Sequence, residues 1–458
     1  MSKVQTHLYP TQKQFHLPEI EEVVLNYWKE HQIFEESILQ REGCPSFNFY
    51  EGPPSANGYP GIHHVMSRTI KDLFCRYKTL KGFQVNRKAG WDTHGLPVEL
   101  QVEKKLGITK EDIGKTISVE DYNKACREDV LKFKDKWDEL TERMGYWVDL
   151  KNPYITFDNS YIESVWFILK NFFERGLLYK GYTIQPYSPA AGTGLSSHEL
   201  NLPGCYKLVK DTSCVAQFLQ KDTENTFFLA WTTTPWTLPA NSALAVGKDI
   251  IYVKVQTFNP YTHQPILVIL AQDRLSAYFS KDAENQDFNS YQPGQKIIPY
   301  RIIQTFTGKE LEGIKYEPLF NDWANAYPEL AQKAFRVIIG DFVSTEDGTG
   351  IVHIAPTFGA DDMRVAKQND IPAVLFHGEP IVDKQGKYIP EIQKFANRYV
   401  KDYTNDPNYK NLDVDICIDL KERNRAFKVE KYEHNYPHCW RTDKPILYYP
   451  LESWFIKT

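Results

Sequence analysis

Apolar positions along this chain recur with two periods, and the period changes partway. After Pro18, Val23, Val24, Tyr27, Trp28 and Phe34 fall near helical spacing, which predicts a helix over 18–42. A strand follows at Phe47 to Tyr50. After Gly61, Val65, Thr69, Leu73, Tyr77 and Leu80 recur on one face and Gly82 supplies a stop, so a second helix is predicted there. Residues 118–145 and 159–176 carry the same period, the latter closing at Gly176. Strand and helix thus alternate through residues 1–204, the pattern of a nucleotide-binding α/β domain.

Near Gly204 the pattern changes. Short β-branched and aromatic runs follow, at Phe227 to Trp231, Ile250 to Val255 and Ile266 to Leu270, separated by Gly, Pro and Asn turns. Residues 335–355 add two more strands around Asp347-Gly348-Thr349-Gly350. This predicts a mainly β insertion over 205–412 with its own core, and past Asp413 short helix and strand resume through 413–458. A content of 42% hydrophobic and 14% aromatic residues is enough for such cores and excludes global disorder.

Charge and cysteine usage narrow the class further. A net charge of −5 excludes a globally basic nucleic-acid binder, so an RNA partner would need local basic patches. The seven cysteines are odd in number and never form Cys-x-x-Cys, as expected of reduced thiols without a local zinc knuckle. Met1 to Gln14 has no apolar signal core and no later run is long enough to span a bilayer, so a cytoplasmic, non-membrane protein is expected.

Two runs carry candidate chemistry. The first is Gly52-Pro53-Pro54-Ser55-Ala56-Asn57-Gly58-Tyr59-Pro60-Gly61-Ile62-His63-His64, a strand, a small-residue turn and a histidine-bearing helix start. Such a helix N-terminus offers free N–H groups and a positive dipole end to phosphate. The second is Gly90-Trp91-Asp92-Thr93-His94-Gly95-Leu96-Pro97-Val98-Glu99. Taken alone, Asp92 reads as a turn cap.

Together the two runs resemble the first signature and amino-acid pocket of the class I aminoacyl-tRNA synthetases, in the isoleucyl form, and the resemblance extends over nearly all 458 residues. It implies a Rossmann-like catalytic domain (first half, 1–204), an inserted editing domain (205–412) and a return to the catalytic domain (413–458). It also implies ATP, with Mg2+, as substrate, isoleucine and its tRNA as partners, and a monomer. In this family the strand–turn–helix binds ATP while the amino-acid carboxylate attacks the α-phosphorus, so the protein supplies position and charge rather than a nucleophile.

On that resemblance Gly52, Pro53, Gly61, His63 and His64 are the ATP-binding candidates, with His63 and His64 catalytic. Pro53, Asp92 and His94 form the amino-acid pocket, Asp92 holding the α-ammonium. The family's usual His-x-Gly-His appears here as Gly61-Ile62-His63-His64, a swap rather than a loss. Because successive helical residues point about 100° apart, His63 is expected not to reach where a histidine at 61 would reach.

Residues 229–243 and 348–362 supply a further candidate site. Bottom-up, the first is a hydroxyl cluster on a strand end and the second a pair of carboxylates after a Gly-rich turn; each is ordinarily a β surface or a cap. Both match the family's editing domain. By resemblance Thr232, Thr233, Thr234 and Thr237 line a pocket for the misattached amino acid and terminal adenosine. His353 lies near the scissile ester, and Asp362, with Asp361, grips the free α-ammonium. The logic is energetic: one methylene is worth about 1–3 kcal/mol in an apolar pocket, a general figure for which this enzyme class is itself the standard example.

Some relatives bind zinc through two Cys-x-x-Cys pairs; here the matching positions are Ser188, Ala191, Cys439 and Thr442, so no structural zinc is expected, and His434 and His438 have poor ligand spacing. The family's Lys-rich second signature and anticodon-binding region do not occur in this sequence, which therefore reads as an N-terminal portion of a longer enzyme. A free-standing editing hydrolase and an inactive paralogue remain as alternatives.

Overall fold

The computed structural model describes residues 16–458. The N-terminal stretch Met1 to Gln14 lies outside them. Two compact units emerge, Met1–Leu178 with Ile456–Thr458, and Tyr179–Phe455. They divide the chain at other places than 1–204, 205–412 and 413–458, because strands from residues 413–455 pair inside the β-rich unit.

The first unit is built on a parallel sheet in the order β1 (Ser46–Tyr50), β2 (Gln84–Trp91), β3 (Asp149–Ile155). Parallel strands need crossovers, and helices supply them. Helix α1 (Leu17–Glu30) and α2 (Ile33–Leu39) precede β1, and α3 (Ile62–Leu80) joins β1 to β2. Between β2 and β3 lie α4 (Leu96–Leu106), α5 (Val119–Val130) and α6 (Lys134–Arg143), and α7 (Asn159–Glu174) follows β3.

Three sequence expectations need correction here. The helix expected over 18–42 is broken at Gln32, which adopts a left-handed φ of 49°. The helix expected over 118–145 is broken near Phe133, whose N–H donates to Ala56 O at 2.9 Å while its ring packs on Tyr59. The apolar stripe of α3 is real, but Leu73, Tyr77 and Leu80 are exposed and the buried face carries Arg68, Cys75 and Thr79. Those polar groups are satisfied: Arg68 donates to Thr141 Oγ1 at 2.6 Å and Arg87 to Thr79 Oγ1 at 2.7 Å.

The second unit is mainly β. It contains β4 (Leu178–Ser188), a short β5 (Thr193–Gly194), β6 (Tyr206–Leu219), β7 (Thr226–Thr232), β8 (Ala243–Val246), β9 (Ile251–Phe258) and β10 (Pro265–Ala271). Then come β11 (Arg301–Thr307), β12 (Arg336–Ile339), β13 (Ile351–Ile354), the pair β14 (Leu375–Phe376) and β15 (Glu379–Pro380), β16 (Ala426–Pro437) and β17 (Leu447–Ile456). A sheet runs β11-β9-β10-β7-β6-β16, a second β12-β8-β13 and a third β17-β4-β5. Phe218, Phe228, Leu244, Val246, Tyr252 and Ile269 fill the core between them and are fully or almost fully buried. Each such side chain contributes roughly 1.5–3 kcal/mol on removal from water. Among the described residues no helix is long and apolar enough to cross a membrane.

Candidate active sites

The turn between β1 and α3 is held from below by α6. Trp137 Nε1 donates to Gly58 O at 2.8 Å, and the His64 ring packs on Trp137 with centroids 4.6 Å apart. Gly61 is the residue before α3, with extended φ and ψ of −106° and 171°. Its N–H donates to His64 Nδ1 at 2.9 Å, so the ring proton sits on Nε2. Burial, then the charges of His63, Arg68 and Lys71, lower the His64 pKa. At neutral pH His64 is thus a neutral ring whose Nε2–H is available as a donor.

The His63 ring lies against Gly61. A β-carbon on Gly61 would stand 2.9 Å from His63 Cε1 and 3.0 Å from its Nδ1. The ring folds back over Gly61 into the space a side chain at 61 would occupy. Gly61 is outside the helix, so the 100° rotation between helical neighbours does not govern the pair.

Glu51, which sequence reasoning did not single out, is buried directly before Gly52. It accepts from Lys71 Nζ at 2.5 Å and from the Tyr146 hydroxyl. Gly52 is exposed and Pro53 half-buried at the mouth of this turn. A lone Glu among signature residues gives no sequence signal; its partners come from α3 and the segment before β3.

Asp92 leaves the end of β2, its N–H on Pro54 O at 3.0 Å, and its Oδ1 accepts from His94 N at 3.3 Å. Thr156 Oγ1 joins Thr93 Oγ1 at 2.8 Å and His94 Nδ1 at 3.0 Å. Asp92 and His94 line a cleft of about 390 Å³ with Thr156, Tyr161, Ile162, Val165 and Trp166. A carboxylate beside an apolar wall can hold an ammonium and bury an aliphatic side chain. The wall comes from α7, whose apolar residues carry no motif. Close approach also fixes Gly90: a β-carbon there would lie 2.3 Å from Tyr154 Cζ.

In the second unit the threonines converge. Thr232 Oγ1 accepts from Thr234 N at 3.0 Å and lies 3.2 Å from Thr234 Oγ1. Thr237, in the 3-10 helix Pro235–Ala240, donates to Thr234 O at 2.8 Å and meets His353 Nε2 at 3.1 Å. The single Thr237 proton is committed to Thr234 O, so His353 Nε2–H must be the donor to Thr237. His353 is buried, which pushes its pKa down to about 4 and keeps it neutral. Its Nδ1 has no partner among the described residues and is left as an acceptor. Thr233 lies beside this set without a side-chain hydrogen bond among those residues.

The two aspartates part company. Asp362 Oδ2 accepts from Ala355 N at 2.8 Å, and burial first, with Asp361 adding repulsion, pushes its pKa up to about 6 despite that bond. Its carboxyl folds back over Gly359, where a β-carbon would be 2.7 Å from Asp362 Cγ. Asp361 is exposed and points to Arg364 at 3.3 Å, which also holds Asp341 at 2.8 Å. Elsewhere in this unit Ser188 Oγ accepts from Ala191 N at 3.2 Å, and His434 binds Asp211 at 3.2 Å. Among the described residues no three His, Cys, Asp or Glu side chains are grouped to hold a metal ion.

Comparison with known proteins gives the family of the chain. The family model for class I tRNA synthetases (I, L, M and V) matches residues 23–458. An isoleucine–tRNA ligase of Cytophaga hutchinsonii is 62% identical, with 98% of this chain and 42% of the relative aligned. One of Porphyromonas gingivalis is 58% identical over 96% of this chain and 41% of its own length. Isoleucine–tRNA ligase 2 of Bacillus anthracis is 44% identical over 94% and 37% respectively. The chain spans about two-fifths of the length of these curated relatives, at 42%, 41% and 37%. On the match over residues 23–458, this chain belongs to the class I tRNA synthetases of the isoleucyl, leucyl, methionyl and valyl group.

Proposed function

We propose that the chain carries two sites of an isoleucine–tRNA ligase: an ATP- and isoleucine-binding site in the first unit, and in the second an editing site that hydrolyses valine mischarged onto the isoleucine tRNA. The isoleucine assignment draws on relatives of that name at up to 62% identity. The editing assignment draws on the convergence of Thr232, Thr234, Thr237 and His353, with Asp362 held at the backbone of Ala355, two residues past His353; the threonine–histidine convergence is the observation that carries the reading.

In the first site Asp92 pairs with the α-ammonium of isoleucine, and Val165 and Trp166 enclose its side chain. The free carboxylate attacks the α-phosphorus of ATP; a new P–O bond forms and the bond to pyrophosphate breaks. His64 Nε2–H and the first amides of α3 hold phosphate oxygens. Mg2+ would come with ATP, held by the phosphates themselves, and would supply charge screening there.

In the second site the ionised Asp362 holds the α-ammonium of the ester. Water adds to the ester carbonyl, the C–O bond to the ribose breaks, and the ribose oxygen leaves with a proton. Thr237 and the neutral His353 orient the ester and its attacking water. A pocket of small threonines admits valine and excludes the larger isoleucine.

Incubating this chain with Val-tRNA and Ile-tRNA of the isoleucine type tests the reading. Hydrolysis of the valyl ester, lost in Asp362→Ala, is expected; equal rates with and without the carboxylate would overturn the assignment of Asp362.

A further inference from the structure

Beneath the threonine cluster lies a buried ion-pair network that the proposed chemistry does not use. Asp413, fully buried near the start of the helix Leu412–Glu422, accepts from Lys401 Nζ at 3.1 Å. Lys401, also buried, donates to Asp211 on β6 at 2.9 Å. Burial opposes the lysine charge, yet Asp413, Tyr436 and Asp211 together hold its pKa above the ordinary lysine value. Asp211 in turn meets His434.

The second oxygen of Asp413 reaches elsewhere. Its Oδ1 accepts from Trp236 N at 2.9 Å, and the Tyr388 hydroxyl donates to Trp236 O. Trp236 directly precedes Thr237 in the 3-10 helix Pro235–Ala240. That helix cannot supply an internal acceptor for its first N–H groups, and Pro235 has none to offer. Trp236 is buried, so its amide needs an acceptor from outside the turn. Asp413 is that acceptor, and the turn is clamped on both faces of one residue.

We propose that Asp413 is a positioning residue for the editing site: by holding Trp236 N it sets where Thr237 presents its hydroxyl to His353. The inference rests on the editing reading above. Productive site geometry tolerates displacements of about 0.5 Å, so a turn freed at residue 236 moves residue 237 out of range.

The test compares two variants of the 458-residue chain that remove the Asp413–Lys401 pair together; both leave Asp211 with His434 alone, so the loss of its lysine is common to the two and cancels in the comparison. Asp413→Asn/Lys401→Met keeps an oxygen that can accept from Trp236 N. Asp413→Leu/Lys401→Met does not. Hydrolysis of Val-tRNA is measured beside the 15N shifts of the His353 ring. The Leu variant is expected to lose about tenfold or more in kcat with KM held, while the Asn variant stays within about threefold of the parent. Equal kcat in the two variants, with the parent active, would overturn the positioning role and leave the editing reading intact. A parent that hydrolyses nothing would remove the editing reading. The His353 shifts still decide the rest: movement in the Leu variant alone supports the clamp, and no movement overturns it. Should both variants fail to fold, Tyr388→Phe loosens the other face, and an unchanged kcat and His353 shift there would overturn the proposal.

Discussion

The His63 ring stands in the space that a side chain at residue 61 would fill, with Cε1 2.9 Å from where a β-carbon on Gly61 would lie. A swapped signature therefore returns an imidazole to the same end of α3. Gly61→His alone places two rings in one space. Because the exposed His63 ring can swing out, little stability is lost, but the start of α3, where ATP phosphates are proposed to bind, is rearranged. We expect ATP affinity, read by calorimetry, to fall about tenfold in Gly61→His and to recover in Gly61→His/His63→Gly. Equal affinity in parent and single variant would show that the two rings do not compete.

Gly90 is fixed by Tyr154, whose ring would lie 2.3 Å from a new β-carbon and whose hydroxyl donates to Glu51 O at 2.5 Å. The ring cannot retreat without breaking that bond. Gly90→Ala should destabilise the first unit by about 1–3 kcal/mol and weaken isoleucine binding through the adjoining Trp91 and Asp92. Thermal unfolding of the variant, with isoleucine titrated into it, checks both effects.

Thr237→Val keeps shape but removes the acceptor for His353 Nε2–H. A buried donor left unpaired costs about 1–3 kcal/mol. Hydrolysis of Val-tRNA should drop while the melting temperature of the second unit falls by a few degrees. A variant with parental hydrolysis would take Thr237 out of the site.

Asp362 and His353 make opposite contributions to stability against pH. Asp362, pushed up to about 6, binds a proton in the folded chain that the unfolded chain has released, so it favours folding in acid and loses that contribution as pH rises. His353, pushed down to about 4, stays unprotonated where the unfolded chain binds a proton, so its contribution is full above pH 6.5 and lost as pH falls. Each is worth about 2–3 kcal/mol between neutrality and pH 4.5, and they offset. Denaturant midpoints at both pH values should show Asp362→Asn more acid-sensitive than the parent and His353→Gln less so. Hydrolysis should also weaken below about pH 6, as the protonated Asp362 loses its hold on the ammonium.

Much of the fold is legible in the sequence alone. The strand at 47–50, the helix after Gly61 and the runs at 227–231, 250–255 and 266–270 all appear within a residue or a few of their expected bounds. Helix α4 was missed, although Pro97 near its start and Gly107 in the left-handed region at its end are ordinary stop and start signals. Of the site, Thr232, Thr234, Thr237 and His353 come together as a set, whereas Asp361 turns to Arg364. Val165 and Trp166 on α7 could not be read as a pocket wall, since apolar helical spacing identifies a face without saying what meets it.

What the sequence determined by itself was therefore local: periodicity, turn chemistry and the small-residue signatures, because each is decided by neighbours within a few residues. Tertiary structure decided the rest. The break at Phe133 depends on Ala56, the burial of Glu51 on Lys71 and Tyr146, and the seat of Trp236 on Asp413, 177 residues away. In each case a backbone or charged group must find its partner across the fold. Burial makes that partner obligatory, but nothing in the local sequence says where along the chain it lies.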